Sequence, residues 1–532
     1  MLAVAGCLSL AVMAIAAQLA WLAMSRPAET RSATAEPIAR TFSRPDIVDR
    51  NGVLIATDVA TNSLFADPGL ILDRDEVAEK LSQVLPGIDP ADLRRQLADR
   101  TRRFVWIRRG LAPVEAQRVH DLGLPGLAFR REPKRNYPSG ALVGHVVGQV
   151  DLDNRGIAGI ERHIDDGGGV EAVHGASASS SAPVRLSLDL GAQHAVADEL
   201  ATAAARYQAA GAAGLVMHVQ SGEIVAAASW PPIDPSLPGS GLDADRPDRL
   251  QGGVYELGSI FKALTVAMAL EDGQASLEKI YDVTAPLVFG RHQIRDLHPL
   301  GRPLSVRDIF LHSSNVGAAM LGLEAGSSRQ LVFLARMGLL EPIRTEVGPI
   351  APPLLPPRWD SVETATIAFG HGLAVAPLQF AAATATLVNG GRRVLPTFLA
   401  GATRPPTHGE TILQPATSTA LRELMRLNVT MAHGTGRRAD VDGYRVGGKT
   451  GTAELAGKGG YQAKSVISSF VGAMPMDRPA YVILVSLFEP QAAPGTNGGI
   501  TAGLNAAPVT AAIVRRIAPI LGVLPRRIEA RP

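Results

Sequence analysis

Three short motifs constrain this 532-residue chain most: Ser259-Ile260-Phe261-Lys262, then Ser313-Ser314-Asn315, then Lys449-Thr450-Gly451-Thr452, in that order. The first follows Gly258 and leads into the apolar run Ala263–Leu270. If Ser259 opens that helix, Lys262 lies one turn on, on the same face. A serine hydroxyl is a poor nucleophile near neutral pH and needs a base. A desolvated lysine can supply one, and an arginine cannot. N–H groups at the start of the helix face a reacting carbonyl and help to hold its oxyanion.

The motifs differ in weight. Ser276-Leu277-Glu278-Lys279 also satisfies Ser-x-x-Lys, but no glycine turn precedes it and no long apolar helix follows. Glu278 is expected to compete for its lysine, as on a solvated face. Ser313 and Asn315 are i and i+2, which share a direction on an extended segment, so a loop between helices suits them; alone, they read as a helix-capping loop. Gly451 allows a substrate backbone close to its edge. Lys449 and the threonine hydroxyls suit a substrate carboxylate. Gly443 to Thr450 also spells the P-loop pattern Gly-x4-Gly-Lys-Thr. A P-loop needs a strand before its first glycine and a helix after its threonine. Here Tyr444-Arg445-Val446 reads as a strand inside the motif, and a glycine-rich stretch follows. Nucleotide binding therefore stays a remote alternative.

Lysine carries unusual information in this chain, because only seven of its 52 basic residues are lysines. Arginine is the default cation. The net charge of +2 gives no basic field for nucleic acid. Cys7 is the single cysteine, which excludes an internal disulfide and a cysteine-rich metal site. No His-Glu-x-x-His zinc pattern occurs, and no metal or cofactor is expected.

Leu2 to Met24 is almost wholly apolar, about the ~20 residues that a membrane helix needs. It reads as an uncleaved anchor (residues 1–24) rather than a signal peptide, with Trp21 at an interface. Arg26, Arg31 and Arg40 follow it and no charge precedes it, so the positive-inside rule leaves the orientation open. Residues 25–43 read as a linker, 44–165 as a smaller module, 166–183 as a flexible junction and 184–525 as the main module. Asn51-Gly52 between apolar runs predicts a hairpin. In the main module Leu186–Asp189 reads as a strand, Gln193–Ala205 as a helix, and Gly214–Val219 with Ile224–Ala227 as a hairpin. Helical stretches are expected near 259–271, 305–323, 328–337, 376–389 and 416–431. Strands return at 443–454, 466–473 and 480–488, and a helix closes from Ala506 to Leu521. Strands at both ends with helices between argue for an α+β domain.

With these residues in view, the chain resembles the class B penicillin-binding proteins, within them the division-specific FtsI type. Ser-x-x-Lys, Ser-x-Asn and Lys-Thr-Gly are the signature of that group, with Ser314 in place of a middle aspartate. Asp49-Arg50-Asn51-Gly52, Arg135-Asn136-Tyr137-Pro138 with Gly140, His145 and Gly148, and Gly156–Glu161 are similar to its N-terminal motifs. Gly370-His371-Gly372 to Gln379 looks like the division type; the elongation type more often has Gln at 371. His371 itself reads as a turn residue without chemistry. Ile260, Pro45 and His218-Val219 depart from the usual residues without removing a catalytic group.

The resemblance implies an antiparallel sheet with a helical cluster behind a smaller pedestal domain. It implies a peptidoglycan D,D-transpeptidase that acts in septal wall synthesis and is acylated by β-lactams. Ser259 is then the nucleophile and Lys262 its base. Ser313 relays a proton to the leaving amine, Asn315 holds Lys262 and the substrate amide, and Lys449 tunes Ser313 and attracts the terminal carboxylate. Thr450 and Thr452 bind that carboxylate beside Gly451, and the N–H groups of Ser259 and Thr452 form the oxyanion hole. Implied partners are stem peptides, β-lactams, a polytopic glycan-polymerising membrane protein and other division proteins. The implied location is the inner membrane, single-pass, with the catalytic domain in the periplasm. A β-lactam-binding sensor or β-lactamase-like hydrolase shares the three motifs and remains the alternative.

Overall fold

The structure, a computed structural model, describes residues 44–167, 182–237, 244–290, 292–402, 408–457 and 460–526, together with 13, 14, 18 and 239. The proposed anchor and the 25–43 linker lie outside these residues except at 13, 14 and 18, and most of the 166–183 junction lies outside them too. Among the described residues no helix is long and apolar enough to cross a membrane.

The chain packs as two compact units, Ala60–Pro133 and a larger one made of Arg44–Val59 with Lys134–Pro532. In the smaller unit the end of strand Leu54–Ala66 pairs antiparallel with Val105–Leu111. Leu64, Val77, Leu81, Leu93 and Val119 are among the side chains of its own core.

The larger unit opens with the expected hairpin: Ile47 pairs with Ala56 across a turn closed by Asp49 Oδ1, which accepts from Asn51 N (2.8 Å) and Val53 N (2.9 Å). Nearby lies a buried ionic hub. Glu161, fully buried, accepts from Arg44 Nε (2.9 Å) and Arg135 Nε (2.6 Å). Arg44 also reaches Asp165, and Arg135 reaches Asp58. Arg135 and Glu161 belong to the Arg135 and Gly156–Glu161 motifs, so those motifs mark part of a structural clamp. Removing one partner of a buried pair strands the other charge in a low dielectric. Glu161→Ala is therefore expected to cost about 3–5 kcal/mol of unfolding free energy, read from urea denaturation. A variant that unfolds at the wild-type midpoint would contradict the clamp.

The main sheet has five antiparallel strands: β1 (Gly211–His218), β2 (Ile224–Trp230), β3 (Gly447–Gly457), β4 (Gly460–Met474) and β5 (Tyr481–Phe488), in the spatial order β3-β4-β5-β1-β2. The helices used below are α1 (Leu190–Tyr207), α2 (Lys262–Glu271), α3 (Val306–His312), α4 (Asn315–Ala325), α5 (Pro377–Val388), α6 (Pro415–Thr430) and α7 (Ala506–Ile520). Strand side chains alternate between faces, and so do the cores. Ile483 and Val485 pack with α1 and α7 on one face, whereas Val482 and Leu484 join the helical cluster on the other. This is the expected α+β layering. Helix α2 is buried from Lys262 through Ala269, as an all-round apolar helix must be. Three local readings are corrected. The strand expected at Leu186–Asp189 is instead Val184–Arg185, with Leu186 in a single bridge to Leu399 and Asp189 capping α1. The stretch 305–323 is two helices broken at Ser313–Ser314, because apolar residues continue across a break that only a capping serine marks. Tyr444–Val446 is a turn preceding β3, with Arg445 at φ 47°, not a strand.

Candidate active site

The serine of the first motif sits where a short 3-10 turn, Gly258–Phe261, runs into α2. Gly258 opens that turn at φ 59°, a conformation glycine adopts at little cost. The turn is wedged tightly. A Cβ on Gly451 would lie 2.4 Å from the Leu257 carbonyl oxygen, and one on Gly370 2.0 Å from that of Gly258. The missing side chain of Gly451 thus makes room for the serine-bearing turn, and Gly451 also lines the cleft.

Helix α3 ends at Ser313 in the left-handed region, φ 59° and ψ 41°. Ser314 then caps α4, its Oγ accepting from Gly317 N at 2.9 Å. This sharp turn delivers two side chains to Lys262. Its Nζ lies 2.7 Å from Asn315 Oδ1, 3.1 Å from Ser313 Oγ, 2.6 Å from the Ser313 carbonyl oxygen and 3.0 Å from Ser259 Oγ. Two of these partners, the carbonyl and Oδ1, can only accept. A neutral amine has two N–H bonds to give them and one lone pair left. That lone pair can only meet a hydroxyl, from Ser259 or Ser313. Lys262 is fully buried, and its pKa is held well below the ordinary lysine value. Burial is the main cause; the positive charge of Lys449 adds to it and Asp296 opposes it.

Lys449 projects from the edge strand β3 and is also fully buried, with its pKa lowered by burial to about 7. Its Nζ donates to the Thr450 carbonyl (3.2 Å) and Thr435 Oγ1 (3.4 Å) and stands 5.8 Å over the Phe310 ring. Ser313 is not among its hydrogen-bond partners. No carboxylate among the described residues pairs with it, so its charge is available to a ligand. Thr450 Oγ1 donates to Thr435 Oγ1 at 2.6 Å, and Thr452 Oγ1 accepts from Ala502 N at 3.1 Å. Ser259, Ser313, Asn315, Thr450, Gly451 and Thr452 line one cleft of about 990 Å³. All eight residues singled out in the sequence thus meet in one place, the two lysines beneath its surface.

The rival motifs resolve otherwise. Lys449 and Thr450 lie in a strand in register with Val471 and Phe470, with no helix after them, so no P-loop forms. Lys279 pairs with Glu324 and the Gln274 carbonyl, while Glu278 pairs with Arg307 rather than competing for the lysine.

Sequence reading missed four residues here. Thr435 bonds both Lys449 and Thr450, and Asn428, fully buried, holds Thr435 N at 3.1 Å and the Gly448 carbonyl at 2.8 Å. Only the flanking glycines of Gly434-Thr435-Gly436 hinted at a tight loop. Asp296 holds the turn between α3 and α4 from 18 residues upstream, and no local pattern announces it. Glu256 pairs with His371 at 2.9 Å, raising the imidazole pKa mainly through that hydrogen bond. His371 also lines the cleft. Donor atoms of Asp308, His312 and His433 lie within 4.8 Å of one another. Arg302 already pairs with Asp308, however, and its charge opposes a cation there.

The model of the penicillin binding protein transpeptidase domain matches residues 212–515, and that of the penicillin-binding protein dimerisation domain matches residues 41–165. The chain is 38% identical over 490 residues to the probable peptidoglycan D,D-transpeptidase FtsI of Caulobacter vibrioides, covering 90% of this chain and 82% of that protein. It is 28% identical over 553 residues to the peptidoglycan D,D-transpeptidase FtsI of Escherichia coli K12, covering 98% and 91%. The fold is similar to that of penicillin binding protein 3 from Mycobacterium tuberculosis, solved in complex with aztreonam. The TM-score is 0.69 at 24% identity, covering 91% of this chain and 97% of that one.

Proposed function

The chain belongs to the penicillin-binding protein transpeptidase family, and we infer that it is a serine-type peptidoglycan D,D-transpeptidase. The observation that carries the mechanism is the fully buried Lys262 amine 3.0 Å from Ser259 Oγ, with acceptor-only groups on its other side. Lys262 takes the Ser259 proton as Oγ attacks the penultimate D-Ala carbonyl. The C–N bond breaks, and D-alanine leaves with a proton relayed through Ser313 Oγ, 3.1 Å from Lys262 Nζ. An amine on a second stem peptide then attacks the acyl ester and frees Ser259. Lys449, Thr450 and Thr452 receive the substrate's terminal carboxylate, and the N–H groups of Ser259 and Thr452 its oxyanion. β-Lactams acylate Ser259 in the same way and leave slowly. The division-type resemblance supports a septal role with glycan-polymerising and division partners. It also supports residues 1–24 as the membrane anchor, residues 44–165 as a pedestal, and a periplasmic location for residues 184–525.

The test is a stem peptide ending in D-Ala–D-Ala, supplied with an acceptor amine. Release of D-alanine with a new amide cross-link is expected. Rapid turnover of penicillin without cross-linking would favour a hydrolase instead.

The two lysines set the pH dependence. Lys262 must be neutral to act as base, which gives an acid limb. Lys449 must be charged to attract a carboxylate, and it loses its proton as pH rises through about 7. The second-order rate of penicillin acylation should therefore be bell-shaped, with an alkaline limb starting near that pH, and Lys449→Met should remove that limb. An unchanged alkaline limb in the variant would refute the assignment.

A further inference from the structure

We propose that Asp296 is a positioning residue for acyl transfer, holding the Ser313–Asn315 turn against Lys262. The proposal rests on the Ser259–Lys262 reading above. The carboxylate of Asp296 accepts from Ser314 Oγ (2.7 Å), Asn315 N (2.5 Å) and Val316 N (3.0 Å). A carboxylate is favourable at the start of a helix, where four N–H groups lack partners within the helix. Ser314 serves one of them, Gly317 N, and Asp296 serves two more, Asn315 N and Val316 N. What Asp296 adds is a tie from a separate loop. The same loop holds Asn315 at its other end, where Nδ2 donates to the Arg295 carbonyl at 3.3 Å. With its backbone N–H and its amide nitrogen both fixed, Asn315 has its Oδ1 left to face Lys262 Nζ at 2.7 Å. The left-handed Ser313, one residue before this grip, presents both its carbonyl and its hydroxyl to the same amine.

Asp296 also acts by charge. The charged groups whose fields reach Lys262 are Asp296 from this loop and Lys449 from β3. Lys449 favours the neutral amine and Asp296 favours the ammonium. The guanidinium of Arg295, beside Asp296, is held by Gln293 Oε1. The loop thus fixes the geometry of the base while restraining how readily it loses its proton.

Two variants separate these effects from plain stability. Asp296→Asn keeps an oxygen for the Asn315 and Val316 N–H groups and removes the charge; Asp296→Ala removes both. The measurement is the second-order rate of penicillin acylation across pH on the purified full-length chain, with thermal melting alongside. Asp296→Ala is expected to lose about 10²-fold of its plateau rate, the scale of a misplaced catalytic group. Asp296→Asn should stay near the wild-type plateau. On the acid limb it should keep roughly three times as large a fraction of its own plateau as wild type, because its base loses the proton more readily. A normalised Asp296→Asn profile that superposes on wild type overturns the proposal, whatever happens to melting, and does so even if the alanine variant does not fold. A wild-type chain that is never acylated at Ser259 would instead overturn the parent reading and this proposal with it.

Discussion

A Ser259→Ala variant is expected to take up no label from a fluorescent penicillin while melting at the wild-type temperature. The methyl group fits the 3-10 turn that already holds the serine, and α2 behind it is buried by apolar contacts that do not involve Oγ. The loss should be complete, because no other hydroxyl can replace the nucleophile. Ser313 Oγ also meets Lys262 Nζ, but it sits on the left-handed turn that ends α3 and not on the turn that opens into α2. Ser276→Ala should label like wild type, since the lysine of that motif is committed to Glu324. Labelling of Ser259→Ala at the wild-type level would place the nucleophile elsewhere.

Lys262→Arg should fold and yet acylate more slowly by about 10²–10⁴, the usual cost of losing a general base. The loss can be larger where nucleophile and base act as a unit. A neutral Lys262 can donate to the Ser313 carbonyl and Asn315 Oδ1 and keep a lone pair for a hydroxyl; a guanidinium has no lone pair to give and stays protonated. Its planar fork must also fit a site built for one nitrogen. In a chain whose default cation is arginine, a lysine here is informative for the same reason. The check is the second-order acylation rate with melting as a control. A well-folded variant within about threefold of wild type, far short of that range, would show that charge alone suffices.

Much of the site could be read from sequence because its chemistry is local. Ser259 and Lys262 are one helical turn apart, and the run behind them is too apolar to lie anywhere but the core. The edge-strand motif is likewise a contiguous stretch. What escaped was non-local. Asp296, Thr435 and Asn428 act across 7 to 20 residues of intervening chain, through contacts that leave no periodic trace. Spacing alone cannot say which backbone approaches a glycine: Gly451 packs against the Leu257 carbonyl as well as lining the cleft. The break at Ser313 hid inside an apolar periodicity that runs on through α3 and α4. The Arg135 and Glu161 motifs were recognisable as patterns, but only their burial together identifies them as one ionic clamp.

The central claim is that a neutral, buried lysine activates Ser259 for acyl transfer. Its most direct test is to treat the purified chain with a penicillin and locate the added mass by peptide mapping. One adduct is expected, intact for many minutes, on the peptide that contains Ser259, formed faster as pH rises along the acid limb. An adduct on any other residue, or none at any pH, would contradict it.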